Sequence, residues 1–373
     1  MTWLLTALLW LAVVGLLAAG LWWAYRRPPT VLLTREVPPN GFQGTRLSLT
    51  LRLHLSSRLP VRYLVEDPPP RTVVPDTAPA LAGELLGQET RELRTVLSLN
   101  SRGVYPWPGA RLHWADPLGL FWRSVPLGEA HHLEVFPTTH GLRLPELLRP
   151  LLSEGALSRQ LGLDDPISLR SVRDYVPGDP PGRIHWRSSA RTGTLSVREP
   201  ERTAASSVTV YLDVSGGGEV FAESAARLAA SLLQEALALE LPVSVATNAG
   251  ATAPGRHAEA LHAALLALAR LEPDAASPVI PPVRSGGNLI ILTARPSPAL
   301  IAGAMRARAT ASRVAVVAMP EGFYLEPGER PRRQWVAAPD AVRALEQQAG
   351  VLAGAGILVF VLRGNQSVLR LGG

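Results

Sequence analysis

The most restrictive feature of the sequence is an uncharged apolar run from Trp3 to Tyr25, closed by Arg26-Arg27 and two prolines. As a helix this run spans about 34 Å at 1.5 Å per residue, which is enough to cross a bilayer. Aromatic residues stand at both ends, where membrane interfaces concentrate them. A cleaved signal peptide is the alternative, but the run lacks a basic start and stays apolar beyond Ala18-Ala19-Gly20. Residues 1–27 are therefore predicted to form a single-pass anchor.

Charge predicts the orientation of this anchor and excludes several kinds of chemistry. No basic residue precedes the run, so the positive-inside rule predicts a cell-membrane protein with cytoplasmic soluble domains. The chain has a net charge of +6, and all 37 of its basic residues are arginines, so a Walker A lysine and a Schiff-base lysine are excluded. It also has no cysteine, which excludes disulfides and cysteine-ligated metal sites.

Residues 31–140 are predicted to form an all-β domain. Short segments alternate in polarity or run apolar over strand-like lengths, and prolines, glycines and asparagines separate them. The segments are Val31–Arg35, Arg46–Leu55, Val61–Val65, Glu92–Leu99, Ala110–Trp114 and His132–Phe136. Several short strands joined by such turns favour an immunoglobulin-like sandwich.

Residues 203–373 alternate between apolar strands and amphipathic helices. The predicted strands are 207–213, 243–247, 288–293, 313–319 and 357–362, and the predicted helices are 219–240, 257–271, 297–310 and 340–350. Apolar strands separated by helices predict a doubly wound, mostly parallel sheet. The chain is thus a multidomain protein with a membrane helix, an all-β domain and an α/β domain.

A connecting segment, residues 141–202, contains an unusual stretch at 172–199. Turn formers crowd into 177–182, and arginines, carboxylates and aromatic rings flank them. We expect a packed polar network there that fixes how the two domains meet, with Ile184 and Trp186 largely buried. Arg173, Arg191 or Arg198 is expected to pair with Asp174, Asp179 or Glu199.

The predicted carboxyl end of strand 207–213 is the one place in the α/β domain with a candidate metal site. Asp213 and Ser215 stand there before three glycines, and their oxygens could bind Mg²⁺ weakly. The alternative is that Asp213 only orders the turn or caps the next helix. A serine-hydrolase elbow is excluded because an aspartate replaces its first glycine.

The stretch at 172–199 contains the motifs Arg173-x-Tyr175, Gly178-Asp179, Ile184-His185-Trp186, Ser189-Ala190-Arg191 and Leu195-Ser-Val-Arg-Glu199. These motifs resemble the signature of the bacterial "domain of unknown function 58" family. Asp116-Pro-Leu-Gly-Leu-Phe121 is similar to an upstream marker of that family. The signature network consists of Arg173, Tyr175, Gly178, Asp179, Arg183, His185, Trp186, Ser189, Arg191 and Glu199. The resemblance implies a membrane anchor, a β domain, a von Willebrand factor A-like domain and association with a MoxR-type AAA+ ATPase.

The chain departs from the pattern of that family in several places. One membrane helix is predicted where members often have two, and Gly182 stands at a usual arginine position. The von Willebrand motif reads Asp-x-Ser-x-Ser, but Gly217 replaces the second serine, and the loop directly after Thr293, Ala-Arg-Pro-Ser, contains no acidic residue. Thr252 is a guess for the threonine ligand. The departures favour a domain without metal or other cofactor that serves for interaction.

Three functions remain open at this point. The first is a membrane-anchored, non-enzymatic scaffold that acts with an AAA+ ATPase in assembly or maturation of other proteins, including envelope-associated ones. The second is a metal-dependent hydrolase or nuclease using Asp213 with nearby carboxylates, Asp174 or Asp179. The third is a nucleic-acid surface formed by the arginines of 170–202 and Trp186. Nucleic acid is not the expected partner, because the acidic residues among those arginines favour internal pairing.

Overall fold

A computed structural model describes residues 2–138, 169–176, 184–200, 207–319, 340–363 and 367–371. The chain divides into two compact units, Met1–Phe136 and Pro137–Gly373. The first contains the apolar helix and the all-β domain, and the second contains the stretch at 172–199 and the α/β domain. Residues 141–168 of the connecting segment lie outside the described residues.

Helix α1 covers Thr2–Ala24 and is the one helix in the described part of the chain long and apolar enough to cross a membrane. Its apolar window is not buried against the rest of the protein. The next residue, Tyr25, is buried in the β domain, and its carbonyl accepts a hydrogen bond from Trp114 Nε1 at 3.0 Å. The helix therefore runs directly into the domain.

The β domain consists of two sheets. Its strands are β1 (Thr30–Glu36), β2 (Asn40–Phe42), β3 (Arg46–Glu66), β4 (Val73–Pro75), β5 (Ala80–Leu99), β6 (Gly103–Trp107), β7 (Ala110–Ala115), β8 (Arg123–Leu127) and β9 (His131–Phe136). One sheet has the order β4-β5-β3-β7-β8 with β1 paired to β3, and the other has the order β2-β9-β6. The predicted all-β region is confirmed.

Polarity alternation decides how the β domain packs. In β3, Leu49, Leu51, Leu53 and Leu55 are buried while the residues between them are partly or fully exposed. Leu49 and Leu51 pack with Trp107 and Leu133 of the second sheet, whereas Leu53 and Leu55 pack with Tyr25 and with residues of the first sheet. The long strand β3 joins two segments predicted separately, because a bulge between Ser57 and Val61 lets its pairing with β5 continue.

The α/β domain is built on a seven-stranded sheet of order β14-β13-β12-β15-β16-β17-β18. The strands are β12 (Val208–Asp213), β13 (Val243–Thr247), β14 (Gly250–Ala251), β15 (Asn288–Thr293), β16 (Arg313–Ala318), β17 (Ile357–Arg363) and β18 (Ser367–Leu371). The five central strands are parallel, and the two edge strands are antiparallel. The mostly parallel sheet was predicted; the edge strands were not.

Helices cover this sheet. They are α3 (Glu219–Ala238), α4 (Ala258–Ala269), α5 (Pro298–Ala307) and α6 (Asp340–Gly354). Every residue of β12 and β15 is buried, so both faces of the sheet centre are covered. Strand β12 is the switch point of the sheet. The next strand, β13, is added on one side of β12, and the later strands from β15 onward are added on its other side. Ligand sites of open α/β sheets form beyond the carboxyl ends at such a point.

Candidate functional site

Asp213 lies at the carboxyl end of β12 and is fully buried. Its Oδ1 accepts hydrogen bonds from the amide and the hydroxyl of Ser215, the amide at 3.2 Å. Its Oδ2 accepts one from Thr293 Oγ1 at 2.8 Å, across the β12–β15 pairing that aligns Asp213 with Thr293. Both carboxylate oxygens therefore have donors within the protein, and all of these donors are neutral.

The residues around Asp213 do not fit a divalent ion. A Cβ on Gly217, the position of the missing serine, would lie 2.3 Å from Cδ1 of Phe221, whose ring is fully buried. Thr252 is instead bonded in both directions to the main chain of Val245, which is level with Val210 in the middle of the sheet. Within the described ranges no three His, Asp or Glu side chains gather to hold a metal. The oxygens of Asp213, Ser215 and Thr293 include only one carboxylate, and the two hydroxyls cannot supply the charge of a second carboxylate to a divalent ion.

One further carboxylate approaches this end of the sheet. The amide of Asp274 donates to the carbonyl of Val214 at 3.4 Å. The Asp274 side chain is exposed, and its Oδ1 accepts from the amide of Ala276 at 3.0 Å. It orders its own loop, and sequence reasoning missed it because no strand or motif marks the loop from 271 to 287.

Tyr211 extends the polar network on the same face of β12. Its hydroxyl donates to Asn248 Oδ1 and accepts from the amide of Val279 at 3.0 Å. Burial raises the pKa of Tyr211 well above its ordinary value, and the negative charge of Asp213 adds to that effect. The hydroxyl therefore stays protonated and holds the loops after β13 and α4 to the central strand.

The stretch at 172–199 forms a hairpin with a short helix in its connection. Strand β10 (Leu169–Asp174) pairs with β11 (Ser196–Pro200), and helix α2 covers Trp186–Thr192. Nδ1 of His185 accepts the amide of Ser188 at 3.1 Å and so caps the helix. The buried hydroxyl of Ser189 donates to the His185 carbonyl at 3.1 Å and accepts the amide of Ser196 at 2.8 Å. Histidine and serine therefore build the described polar network.

The expected burial of Trp186 is wrong: 67% of this residue is exposed. The inward face of α2 is formed by His185, Ser188 and Ser189, at three- and four-residue spacing. Trp186 lies one position, about 100°, around the helix from His185 and so faces outward. Ile184 is half-buried and bridges to the buried Val197.

The remaining signature residues have different outcomes. Tyr175 is half-buried and its amide donates to the carbonyl of Leu195 at 2.8 Å, whereas Arg191 is exposed. Gly178, Asp179 and Arg183 lie outside the described residues, as do the side chains of Arg173, Arg198 and Glu199. The expected arginine–carboxylate pairs of this stretch stay a prediction.

Sequence reasoning also missed a buried ion pair in the β domain. Arg35 Nε donates to Asp67 Oδ2 at 2.8 Å, and its Nη2 donates to Oδ1. Trp107 Nε1 donates to the same Oδ1 of Asp67 at 3.1 Å. The Arg35 guanidinium also lies over the Trp107 ring, with its Cζ 4.6 Å from the ring centre. Both charged side chains are almost completely buried. The one available signal was an arginine inside the apolar strand β1.

Comparisons with known proteins support the family resemblance. Residues 171–278 match the family model described as "Protein of unknown function DUF58". No curated protein matches the chain.

Three solved structures are similar to parts of the chain. The first is the CARDB domain of a Pyrococcus furiosus protein in complex with di-metal ions, with 13% identity over 29% of this chain and 88% of that chain and a TM-score of 0.20. The second is the PKD domain of an M14-like peptidase from a Thermoplasmatales archaeon, with 19% identity over 28% of this chain and 96% of that chain and a TM-score of 0.15. The third is β-glucosidase from Listeria innocua, with 11% identity over 29% of this chain and 16% of that chain and a TM-score of 0.17. With TM-scores below 0.5, these likenesses carry no argument about function.

Proposed function

We propose that this chain, which residues 171–278 identify as a member of the DUF58 family, is a membrane-anchored, non-enzymatic scaffold. It acts with a MoxR-type AAA+ ATPase in the assembly or maturation of other proteins. In this proposal α1 crosses the cell membrane once, and Arg26-Arg27 keep the soluble domains in the cytoplasm. The β domain is an immunoglobulin-like sandwich, and the α/β domain is von Willebrand factor A-like.

The observation that carries the proposal is the internal hydrogen bonding of Asp213. This carboxylate is the chemical group best placed for catalysis at the switch point of the sheet, and Ser215 and Thr293 occupy both of its oxygens. Phe221 fills the space that a third hydroxyl ligand would need. An α/β domain whose Asp213 carboxylate is already hydrogen-bonded on both oxygens is better suited to binding a partner than to turnover of a substrate. For the same reason, no observation within the described residues favours the metal-dependent hydrolase.

The hairpin and helix of the family segment supply a surface for such a partner. Trp186 is exposed on α2, and Val176 is exposed just after β10. Arg187 and Arg191 are exposed on the same helix. Tryptophan and arginine are the residue types that most often dominate the energy of protein interfaces. We therefore assign the ATPase contact to this surface, centred on Trp186.

Co-purification tests the proposal. The full chain is solubilised from bacterial membranes in mild detergent, captured by a C-terminal tag, and the bound proteins are identified by mass spectrometry. The wild-type chain is expected to retain an AAA+ ATPase, and Trp186→Ala is expected to lose most of it. Met305→Ala is the control, because Met305 is a large apolar residue that is exposed on a different helix, α5.

Two results would contradict the proposal. Recovery of the wild-type chain without any ATPase rejects the partnership itself. Equal retention by Trp186→Ala and Met305→Ala rejects the assigned surface while leaving the partnership intact.

A further inference from the structure

The loop between β7 and β8 is held rigid by one buried carboxylate. Asp116 is fully buried, and its Oδ1 accepts the amide of Leu118 at 3.0 Å. Its Oδ2 accepts the amides of Leu120 at 3.0 Å and Phe121 at 2.8 Å. The turn also needs Gly119, which has a φ of +73°. A carboxylate that accepts three main-chain donors fixes the loop in a single conformation.

This rigid loop exposes large apolar side chains. Leu118 is 70% exposed, Leu120 is 62% exposed and Trp122 is 52% exposed. The fully buried group of this turn is the aspartate, whereas the two leucines and the tryptophan face outward. Contiguous apolar side chains on an ordered surface mark a contact with another molecule or a membrane.

The loop adjoins the point where α1 enters the domain. Arg123, the residue after Trp122, donates from Nη2 to the carbonyl of Trp22 at 3.0 Å and from Nη1 to the carbonyl of Arg26 at 3.3 Å. Its guanidinium also lies over the Trp22 ring, 4.8 Å from the ring centre. The exposed loop and the end of the apolar helix are therefore immediate neighbours.

Two more exposed leucines lie at this end of the domain. Leu59 belongs to the bulge of β3, and Leu86 is next to Gly87, which pairs with Ser57. The neighbouring Ser56 pairs with Thr30, the first residue of β1 and only a few positions beyond α1. We call Leu59, Leu86, Leu118, Leu120 and Trp122 the apolar rim.

Basic residues accompany the apolar rim. Arg26 and Arg27 follow the helix, and Arg58 precedes Leu59; all three are exposed. Apolar side chains with arginines and a tryptophan match the chemistry of a bilayer interface, where acyl chains lie beneath anionic headgroups. A protein partner would not account for their placement around the end of an apolar helix.

We propose that the apolar rim is a second lipid-contacting site, which seats this end of the β domain in the membrane interface. The proposal rests on the proposed crossing of the membrane by α1. The leucines and Trp122 enter the boundary between headgroups and acyl chains, and the arginines contact anionic headgroups. The β domain thus contacts the membrane surface directly rather than being held away from it.

Single cysteines allow a direct test, since the native chain has none. Leu9→Cys in α1, Leu120→Cys in the apolar rim and Val74→Cys as a control each replace an exposed apolar residue. Val74 pairs with Ser98, and from Leu86 to Ser98 strand β5 extends about 40 Å at roughly 3.3 Å per residue. Each full-length variant is labelled with the fluorophore NBD and reconstituted into phosphatidylcholine–phosphatidylglycerol vesicles.

Quenching by lipids brominated on their acyl chains reports contact with the bilayer. Labels at Leu9→Cys and Leu120→Cys are expected to be quenched severalfold more than the label at Val74→Cys. If Leu9→Cys is not quenched, the membrane crossing itself fails.

Two outcomes overturn the proposal about the rim alone. If Leu9→Cys is quenched but Leu120→Cys behaves like Val74→Cys, the rim does not contact lipid. If the Leu120→Cys emission shifts to the blue without quenching by brominated lipid, a protein surface covers the loop instead. Far-ultraviolet circular dichroism of each variant confirms that an exposed cysteine leaves the fold unchanged.

Discussion

The β domain and the α/β domain each bury an aspartate completely, and they satisfy it in different ways. Asp67 faces a nearly buried arginine, which donates two hydrogen bonds, and receives a third from Trp107. Among the described residues, the donors to Asp213 are the amide and hydroxyl of Ser215 and the hydroxyl of Thr293. The first aspartate belongs to an ion pair, and the second belongs to a neutral network.

This difference sets how each site responds to change. Arg35 and Trp107 lower the pKa of Asp67, but burial outweighs them and leaves it above the ordinary value of 3.8. Breaking a buried ion pair leaves an uncompensated charge, which is strongly destabilising. Hydroxyl groups can rotate and exchange donor and acceptor roles, so the Asp213 network can adapt. The buried pair is expected to be essential to its fold and the neutral network replaceable.

The largest expected effect comes from Arg35→Leu. This variant leaves the Asp67 carboxylate buried without its cation, and the free energy of unfolding of the β domain should fall by about 3–5 kcal/mol. Urea unfolding of the detergent-solubilised chain, followed by tryptophan fluorescence, measures the loss, since Trp107 and Trp114 lie in this core. The control Arg52→Leu removes an arginine from an exposed pair with Glu36 and should cost less than about 1 kcal/mol.

The deficit of Arg35→Leu should also depend on pH. Because the pKa of Asp67 is raised in the folded protein, its stability contribution is present below 3.8 and is lost as pH rises through the raised value. Removing Arg35 raises that pKa further, so the deficit grows from acid to neutral pH. Equal deficits near pH 4 and near pH 7.5 would show that Asp67 does not cause the loss.

An intermediate effect is expected from Gly217→Ser. The serine restores the missing hydroxyl of the metal motif but collides with Phe221, and overpacking of this kind costs about 1–3 kcal/mol. Gly350→Ser on α6 is the control, because nothing lies within 4 Å of a Cβ there. Unfolding and titration with Mg²⁺ are measured on both variants. Full stability together with Mg²⁺ binding by Gly217→Ser would show that Phe221 does not block a metal site beside Asp213.

The smallest effect is expected from Asp213→Asn. The asparagine carbonyl still accepts from Ser215, and its amide can donate to the Thr293 hydroxyl, so the loss should stay below about 1 kcal/mol. Arg35→Leu, which breaks the charged pair, provides the contrast with its loss of about 3–5 kcal/mol. Urea unfolding followed by far-ultraviolet circular dichroism measures both variants, because Trp107 and Trp114 report only on the β domain. Equal losses would mean that the charge of Asp213 supports the fold.

Patterns repeated along the chain were sufficient to predict most of the fold. Apolar strands such as Val208–Asp213 and Asn288–Thr293 appear close to their predicted bounds because both faces are buried. The edge strands β14 and β18 were missed, since a two-residue strand has no periodicity and β18 depends on its pairing with β17. Pairing between distant segments also joined β3 across its bulge.

The site was harder to predict because it depends on which strand ends become neighbours. Asp213 and Ser215 were visible as a local motif, but Thr293 lies 80 positions away and becomes a partner only through the β12–β15 alignment. Trp186 was expected to be buried because it is large and apolar, yet its position on a two-turn helix decided otherwise. The position of Arg35 opposite Asp67 could not be read from either local sequence.

The direct joint between α1 and the β domain makes the domain a lever. Tyr25 continues the helical hydrogen bonding to Leu21, while Trp114 and Arg123 bind carbonyls of the last helical turn and the residues after it. When the helix crosses a bilayer as proposed, a thinner membrane makes it tilt. From Leu86, which lies near the helix, to Ser98, strand β5 extends about 40 Å at roughly 3.3 Å per residue, so a tilt of about 10° moves its far end by about 7 Å. The position of the far end of the β domain then depends on the thickness of the membrane.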